Sequence, residues 1–206
     1  MNAIFYRPTG QLPTEVVLTF SECMDIKDYL SAYRCISPPQ DKDEELFGLI
    51  ETLVESDLYE EILEIFYQIE IEPEQLSFLF NAATEYLKKG NLTRVYDMYG
   101  LLDVNYRFSL VTRMLVNEPN DEKKLAIIDD ILCLHKVNND IPGAICLVIR
   151  LTFGDHESIL FNLGLELIQL KKWRDCSFIS QVLQDRKNEF QALITQAQRN
   201  EVRLSA

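Results

Sequence analysis

A 26-residue stretch of this sequence, residues 77–102, carries the pattern of two short amphipathic helices joined by a tight turn. The apolar residues of its first half, between Leu79 and Leu87, recur at spacings of three and four, which places them on one face of an α-helix. Two lysines and then Gly90 follow, and this order favours a helix end. A second apolar run begins at Leu92. Two helices joined by so short a turn lie antiparallel, so the stretch predicts a helical hairpin.

The same pattern recurs 81 residues later, in residues 158–183, without any gap. The identical residues are Ser77, Leu79, Phe80, Asn81, Glu85 and Leu102 in the first stretch and Ser158, Leu160, Phe161, Asn162, Glu166 and Leu183 in the second. Another copy lies 33 residues before the first, with Leu46 and Phe47 in the places of Leu79 and Phe80. A weaker copy runs from Ile131 through Ala144 to Leu151, although Pro142 and a 49-residue step from Val95 disturb it. The sequence therefore predicts an internal repeat of helical hairpins.

The order of small, tyrosine, glycine, apolar, small and aromatic residues in the best copy resembles the tetratricopeptide repeat, which has a period of ~34 residues. The residues that carry this resemblance are Ala83, Tyr86, Gly90, Leu92, Val95 and Tyr99. Asp57 and Lys171 depart from it, because the family prefers glycine at those positions. The resemblance covers residues 44–187 and implies an all-α, right-handed stack of antiparallel helix hairpins. Trp173, which replaces Leu92, is then expected to pack between the two helices of its hairpin.

The domain organisation expected from these patterns is an N-terminal segment, residues 1–40, followed by one helical-repeat domain, residues 41–206. The first segment predicts one or two short helices without the repeat phase and ends at a Ser-Pro-Pro-Gln break. The repeat domain predicts helices near 43–56, 58–70, 73–89, 92–103, 105–117 and 122–137. A further helix is expected to begin at Pro142 and to end before Gly154, and residues 158–186 predict the last hairpin. A final amphipathic helix around Phe190 is expected to cap the stack.

The five cysteines, Cys23, Cys35, Cys133, Cys146 and Cys176, are odd in number and scattered, as in proteins of a reducing compartment. The N-terminus shows no signal-peptide pattern, and no uncharged apolar run approaches the ~20 residues of a membrane span. A cytoplasmic protein without membrane insertion is therefore expected.

Almost all of the net charge of −13 comes from residues 41–74, which contain thirteen acidic residues and only one basic residue, Lys42. This region is either a solvated outer face or an electrostatic docking surface for a basic partner. Because it repels phosphate groups, nucleic acid is not an expected partner.

The sequence contains no recognisable catalytic, phosphate-binding or metal-binding motif. His135 and His156 are the only histidines, and neither lies at a metal-ligand spacing. No cofactor, metal or catalytic residue is therefore predicted. An enzyme with an unrecognised site in an all-helical scaffold remains the alternative.

The candidate site is a groove, because the resemblance implies that Phe47, Phe80 and Phe161 and the residues after them face the concave surface. The phenylalanines either pack between repeats or line this groove, where an asparagine could bind a peptide backbone with its donor pair and acceptor. The candidate partner-binding residues are Phe47, Glu51, Phe80, Asn81, Thr84, Lys88, Phe161, Asn162 and Leu165. Asn81 also matches the asparagine of the family's carboxylate clamps, but Phe47 and Glu51 stand where such a clamp needs lysine and asparagine. Recognition of an acidic C-terminal tail is therefore not expected.

The resulting functional prediction is a protein-interaction module: an adaptor or dedicated chaperone that holds a peptide or helix of a partner protein. Its size, acidity and N-terminal helices are similar to those of the chaperones of type III secretion translocators. A basic partner would suit the 41–74 region, and a homodimer through the N-terminal helices is a further option. An RNA-reading repeat of the pentatricopeptide kind is the third class, and the acidity of the chain argues against it.

Overall fold

The computed structural model describes residues 18–36, 43–151 and 155–204, and these residues form twelve α-helices and no strand. They divide into two compact units between Leu102 and Asp103. The first unit contains α1 (Phe20–Asp25), α2 (Tyr29–Ile36), α3 (Asp43–Glu55), α4 (Tyr59–Gln68), α5 (Glu72–Lys88) and α6 (Leu92–Tyr99). The second contains α7 (Val104–Asn117), α8 (Asp121–Val137), α9 (Ile141–Arg150), α10 (His156–Gln169), α11 (Trp173–Val182) and α12 (Lys187–Leu204). The all-α prediction is confirmed, whereas the right-handed stack stays a prediction.

The first unit consists of three helical hairpins, α1–α2, α3–α4 and α5–α6. Helix α2 packs on both helices of the second hairpin, and α5 packs on both helices of that hairpin as well. The N-terminal helices thus belong to one compact unit with the following hairpins. The division into residues 1–40 and 41–206 stays a prediction. The predicted break at 37–40 lies outside the described residues.

The second unit begins with the single helix α7, continues with the hairpins α8–α9 and α10–α11, and ends with α12. The hairpin α8–α9 is the weak copy seen in the sequence, and the extra helix α7 accounts for the 49-residue step that precedes it. Helix α12 packs on α10 and α11, as expected for a terminal helix that covers an apolar face.

All five of these hairpins use the same turn. Each has one residue with positive φ, namely Lys27 (58°), Asp57 (50°), Gly90 (73°), Asn139 (55°) and Lys171 (57°). In each, the next residue donates its backbone N–H to the carbonyl five positions earlier, as Asn91 does to Tyr86 at 3.0 Å. This is the hydrogen bond of a Schellman helix end. The five hairpins therefore share one turn geometry, and only one of the five turns uses glycine for it.

Two positions counted from the positive-φ residue are buried in every hairpin. The residue five positions later is fully buried in all of them: Ala32, Ile62, Val95, Ala144 and Cys176. The residue four positions earlier is also buried: Cys23, Leu53, Tyr86, His135 and Leu167. The residue two positions later varies in burial, because Leu92 lies at the surface, Trp173 is half-buried and Ile141 is buried. Trp173 is thus half-buried, and its packing between the two helices of its hairpin stays a prediction.

The turn residue Asp57 connects its hairpin to the next one. Its Oδ1 accepts a hydrogen bond of 3.1 Å from the Tyr86 hydroxyl and one of 3.4 Å from Arg94 Nε, both in the next hairpin. The Tyr86 side chain is buried, and burial together with the bond to Asp57 raises the pKa of its hydroxyl. Asp57 thus ties two consecutive hairpins together, which offsets the cost of ~1–2 kcal/mol for a non-glycine residue in the left-handed region.

Glycine substitutions at two of these turns should have different outcomes. We expect Lys27→Gly to raise the free energy of unfolding by ~1 kcal/mol, because glycine adopts positive φ without steric cost. Asp57→Gly should give no such gain, because it leaves the buried Tyr86 hydroxyl without its acceptor, which costs ~1–3 kcal/mol. Thermal melts of the two variants make the comparison. Equal stabilisation by both would contradict the role given to Asp57.

Candidate functional site

A groove of about 690 Å³ lies between α8 and α10 within the second unit. Its wall on α8 consists of Leu125, Asp129, Leu132 and Lys136, and its wall on α10 consists of Asp155, Ser158, Ile159, Asn162, Leu163 and Glu166. Leu132 and Leu163 are buried, whereas the side chain of Leu125 is 45% exposed. The groove therefore combines a closed apolar floor with an accessible apolar edge, and polar side chains flank both.

The charged groups of the groove leave it with a negative charge of two, because it has three carboxylates and one ammonium group. Lys136 Nζ and Glu166 Oε2 form an ion pair of 2.7 Å that joins α8 to α10. Asp155 caps α10 and accepts hydrogen bonds from the Ser158 hydroxyl at 2.6 Å and the Ser158 backbone N–H at 3.2 Å. These bonds hold the pKa of Asp155 below its usual value. Asp129 and Asp155 thus make the groove attractive to a cation.

Asn162 is the predicted site residue that lines this groove. Its side chain is exposed, and it lies four residues after Ser158 and four before Glu166. In a helix, residues at this spacing lie on one face, so α10 presents a hydroxyl, an amide and a carboxylate in a row. We call this row of Ser158, Asn162 and Glu166 the amide stripe, after its central residue. The amide offers two donors and one acceptor to a bound backbone.

The two other predicted site residues of this repeat do not line the groove. Phe161 is buried, its ring packs edge-on against Phe190 with centroids 5.6 Å apart, and the Arg186 guanidinium lies 3.4 Å from its centroid. This phenylalanine therefore packs against the terminal helix α12 and does not line the α8–α10 groove. Leu165 is half-buried and lies outside the groove lining.

The predicted residues of the first unit are likewise divided between core and surface. Phe80 and Thr84 are buried, and the Thr84 hydroxyl donates to the Phe80 carbonyl at 2.9 Å, so neither presents a side chain to a partner. Asn81 is half-buried. Phe47, 51% exposed, and the exposed Glu51 lie on α3, and Lys88 at the end of α5 pairs with Glu85.

The sequence does not identify the α8 wall, because the repeat containing α8 is too degenerate to be aligned. Asp129 stands ten residues before the turn residue Asn139, where the other copies have phenylalanine. A signal for the α10 wall was present, however. Ser158 and Glu166 are identical in both copies, as Asn162 is, and their spacing of four indicated a single helical face.

The buried histidine of the second unit serves the hairpin rather than the groove. His135 Nδ1 lies 2.9 Å from Asp140 Oδ2, and Arg107 Nη1 lies 3.3 Å from the same oxygen. Burial lowers the pKa of His135, although Asp140 opposes this effect. Asp140 also caps α9 by accepting the Gly143 N–H at 3.0 Å. The cluster therefore links α7, the α8–α9 turn and the start of α9.

Neither a metal centre nor a membrane segment is found in the part of the chain that the structure describes. No three of its His, Cys, Asp and Glu side chains are grouped as a metal ion would require. None of its helices combines the length and the apolar character needed to span a bilayer. The chain matches no family model, no curated protein and no solved structure.

Proposed function

We propose that this chain is a protein-binding module and that its α8–α10 groove holds a short segment of a partner protein. The bound segment would present apolar side chains next to a lysine or arginine. The observation that carries the proposal is the composition of the groove, which has an apolar floor, an accessible leucine, an amide stripe and a net negative charge. Such a mixture of apolar surface and a few placed polar groups is typical of binding sites.

Each part of the groove would have a separate role in binding. Leu125 and Ile159 would bury apolar surface of the segment, at ~25 cal/mol per Å². Asn162 would pair with the backbone of the segment, and Asp129 and Asp155 would attract its basic residue. We propose that the chain is an adaptor or dedicated chaperone built as a tetratricopeptide-like right-handed stack. In such a stack the first helix of each hairpin, here α8 and α10, would line the groove that binds the partner segment.

The test begins with a phage-displayed library of random 12-residue peptides, selected on the immobilised full-length chain. Affinities of the selected peptides are then measured by fluorescence titration for wild type and Asn162→Ala. We expect the substitution to weaken binding roughly five- to hundredfold, because an unpaired polar group in a desolvated place costs ~1–3 kcal/mol. The melting temperature should barely change, because exposed substitutions alter stability by no more than ~0.5 kcal/mol.

Two controls separate the groove from general effects of substitution. Asn200→Ala removes the same amide from an exposed position on α12 and should leave affinity unchanged. Asp129→Asn should weaken binding and reduce its dependence on salt, whereas Glu122→Gln, on the same helix outside the groove, should do neither. Peptides that bind the Asn162→Ala and Asp129→Asn variants as tightly as wild type would refute the proposal.

A further inference from the structure

The amide stripe of the α8–α10 groove is present a second time, in the first unit. Ser77, Asn81 and Glu85 stand 13, 9 and 5 residues before the turn residue Gly90 on α5. Ser158, Asn162 and Glu166 stand at the same distances before Lys171 on α10. Because the two turns have the same geometry, the two stripes occupy the same face of their hairpins. In the second unit that face lines the groove.

The helix that precedes this stripe carries an exposed aromatic ring. Helix α3 is the first helix of the hairpin before α5 and packs against α5. Phe47 lies ten residues before the turn residue Asp57, the position that Asp129 occupies relative to Asn139 in the groove. The side chain of Phe47 is 51% exposed, unlike the buried Phe80 and Phe161.

Three exposed carboxylates lie at helical spacings of three and four residues from Phe47 on α3. Asp43, Glu44 and Glu51 are exposed and lie four residues before, three residues before and four residues after Phe47. Side chains at these spacings are neighbours on one helix face. A cation placed over the ring would therefore meet both the negative face of the aromatic system and the field of the carboxylates. The chain itself pairs cations with rings in this way, for example Arg94 over Tyr59 at 4.4 Å.

We infer that the α3–α5 face of the first unit is a second peptide-binding surface, selective for a basic segment that places an arginine or lysine on the ring of Phe47. This inference rests on the proposed function, because it assigns the same kind of ligand to a second copy of the amide stripe. The two sites differ in chemistry. The groove of the second unit takes apolar side chains beside one cation, whereas the α3–α5 surface takes a cation on an aromatic ring, with Asn81 pairing to the backbone of the segment.

The experiment uses the full-length chain with the groove of the second unit disabled by Asp129→Lys and Asn162→Ala. Random 12-residue peptides on phage are selected on this variant after its melting curve has been checked against wild type. We expect the selected peptides to be rich in arginine and lysine. Phe47→Ala in the same background should weaken their binding roughly three- to thirtyfold, as expected for the loss of a cation–π contact.

Conservative and control variants define the result. Phe47→Trp should retain or strengthen binding, because tryptophan is the best cation–π partner. Glu51→Gln should weaken binding and make the affinity less dependent on salt concentration. Phe178→Ala is the control, because it removes a ring that is 40% exposed on α11, and it should have no effect on binding. If the selection yields no peptide, or if Phe47→Ala leaves affinity unchanged, the inference is overturned.

A parallel selection on the chain with Phe47→Ala and an intact second unit distinguishes failure of the α3–α5 surface from failure of the α8–α10 groove. Peptides from that selection whose binding depends on Asn162 support the groove alone. If they are found while the first selection fails, the second surface is wrong and the proposed function stands. If only the first selection succeeds, the α8–α10 groove is wrong and the α3–α5 surface stands.

Discussion

Phe190→Ala is expected to lower the free energy of unfolding by ~3–5 kcal/mol, the usual cost of truncating a fully buried phenylalanine. Phe190 lies on α12, is fully buried, and packs edge-on against the Phe161 ring of α10. Edge-to-face pairs contribute ~0.5–1.5 kcal/mol beyond the area that they bury. The substitution therefore removes a fully buried apolar side chain of α12 and also the edge-to-face contact with the Phe161 ring.

A second set of contacts would remain in the Phe190→Ala variant and limit the damage. The Glu157 carboxylate at the start of α10 accepts the backbone N–H groups of Gln184, Asp185 and Arg186, which form the connection between α11 and α12. We therefore expect a folded chain whose α12 is loosened rather than an unfolded one. Chemical denaturation gives the loss of stability, and limited proteolysis should cut first within residues 187–204.

Phe178→Ala is the matched control for Phe190→Ala, because it deletes the same atoms from a ring that is 40% exposed in the same unit. It should cost less than ~1 kcal/mol. A loss of similar size for both variants would mean that Phe190 does not anchor α12. The same outcome would also remove the reason given for the burial of Phe161.

The helices and their hairpins could be predicted from the sequence because the 3.6-residue period of apolar residues is a local property. The predicted segments 43–56, 73–89 and 122–137 agree with α3, α5 and α8 to within one residue. The hairpin α1–α2 was predicted only as one or two short helices, because α1 has six residues and α2 has eight, too few for an apolar pattern to be matched to the other copies. Its turn residue, Lys27, also lacks the turn preference of glycine, asparagine or aspartate.

The candidate site could be predicted only in part, because identity between two copies marks core and surface positions alike. Asn162 and Phe161 are adjacent and equally well matched, yet Asn162 lines the groove and Phe161 is covered by α12. The matching residues of the first copy follow the same order, with Phe80 buried and Asn81 half-buried, but identity alone does not tell which of the two positions faces the core. The α8 wall of the groove could not be predicted for another reason. Helix α7 lies between the hairpin α5–α6 and α8, so the spacing between these two hairpins along the sequence differs from that between the earlier copies.

Gly164 should show an effect of opposite sign depending on the residue at position 190. A methyl group added at Gly164, in the middle of α10, would come too close to the ring of Phe190. Glycine costs ~1 kcal/mol relative to alanine inside a helix, so alanine would be favoured there by propensity alone. Overpacking against a well-packed ring costs ~1–3 kcal/mol. Gly164→Ala should therefore destabilise the wild-type chain or, at best, give none of the usual helical gain.

In the Phe190→Ala background the same substitution should become stabilising, by ~0.5–1 kcal/mol, because the ring is gone and the propensity gain remains. Gly48→Ala supplies the control: this glycine lies inside α3, and an added methyl group would meet nothing within 4 Å. It should stabilise both backgrounds equally. Denaturation of the four chains in the cycle gives the coupling energy between positions 164 and 190, which we expect to be ~1–3 kcal/mol. A coupling energy near zero would place the Phe190 ring away from Gly164 and exclude the packing of α12 described above.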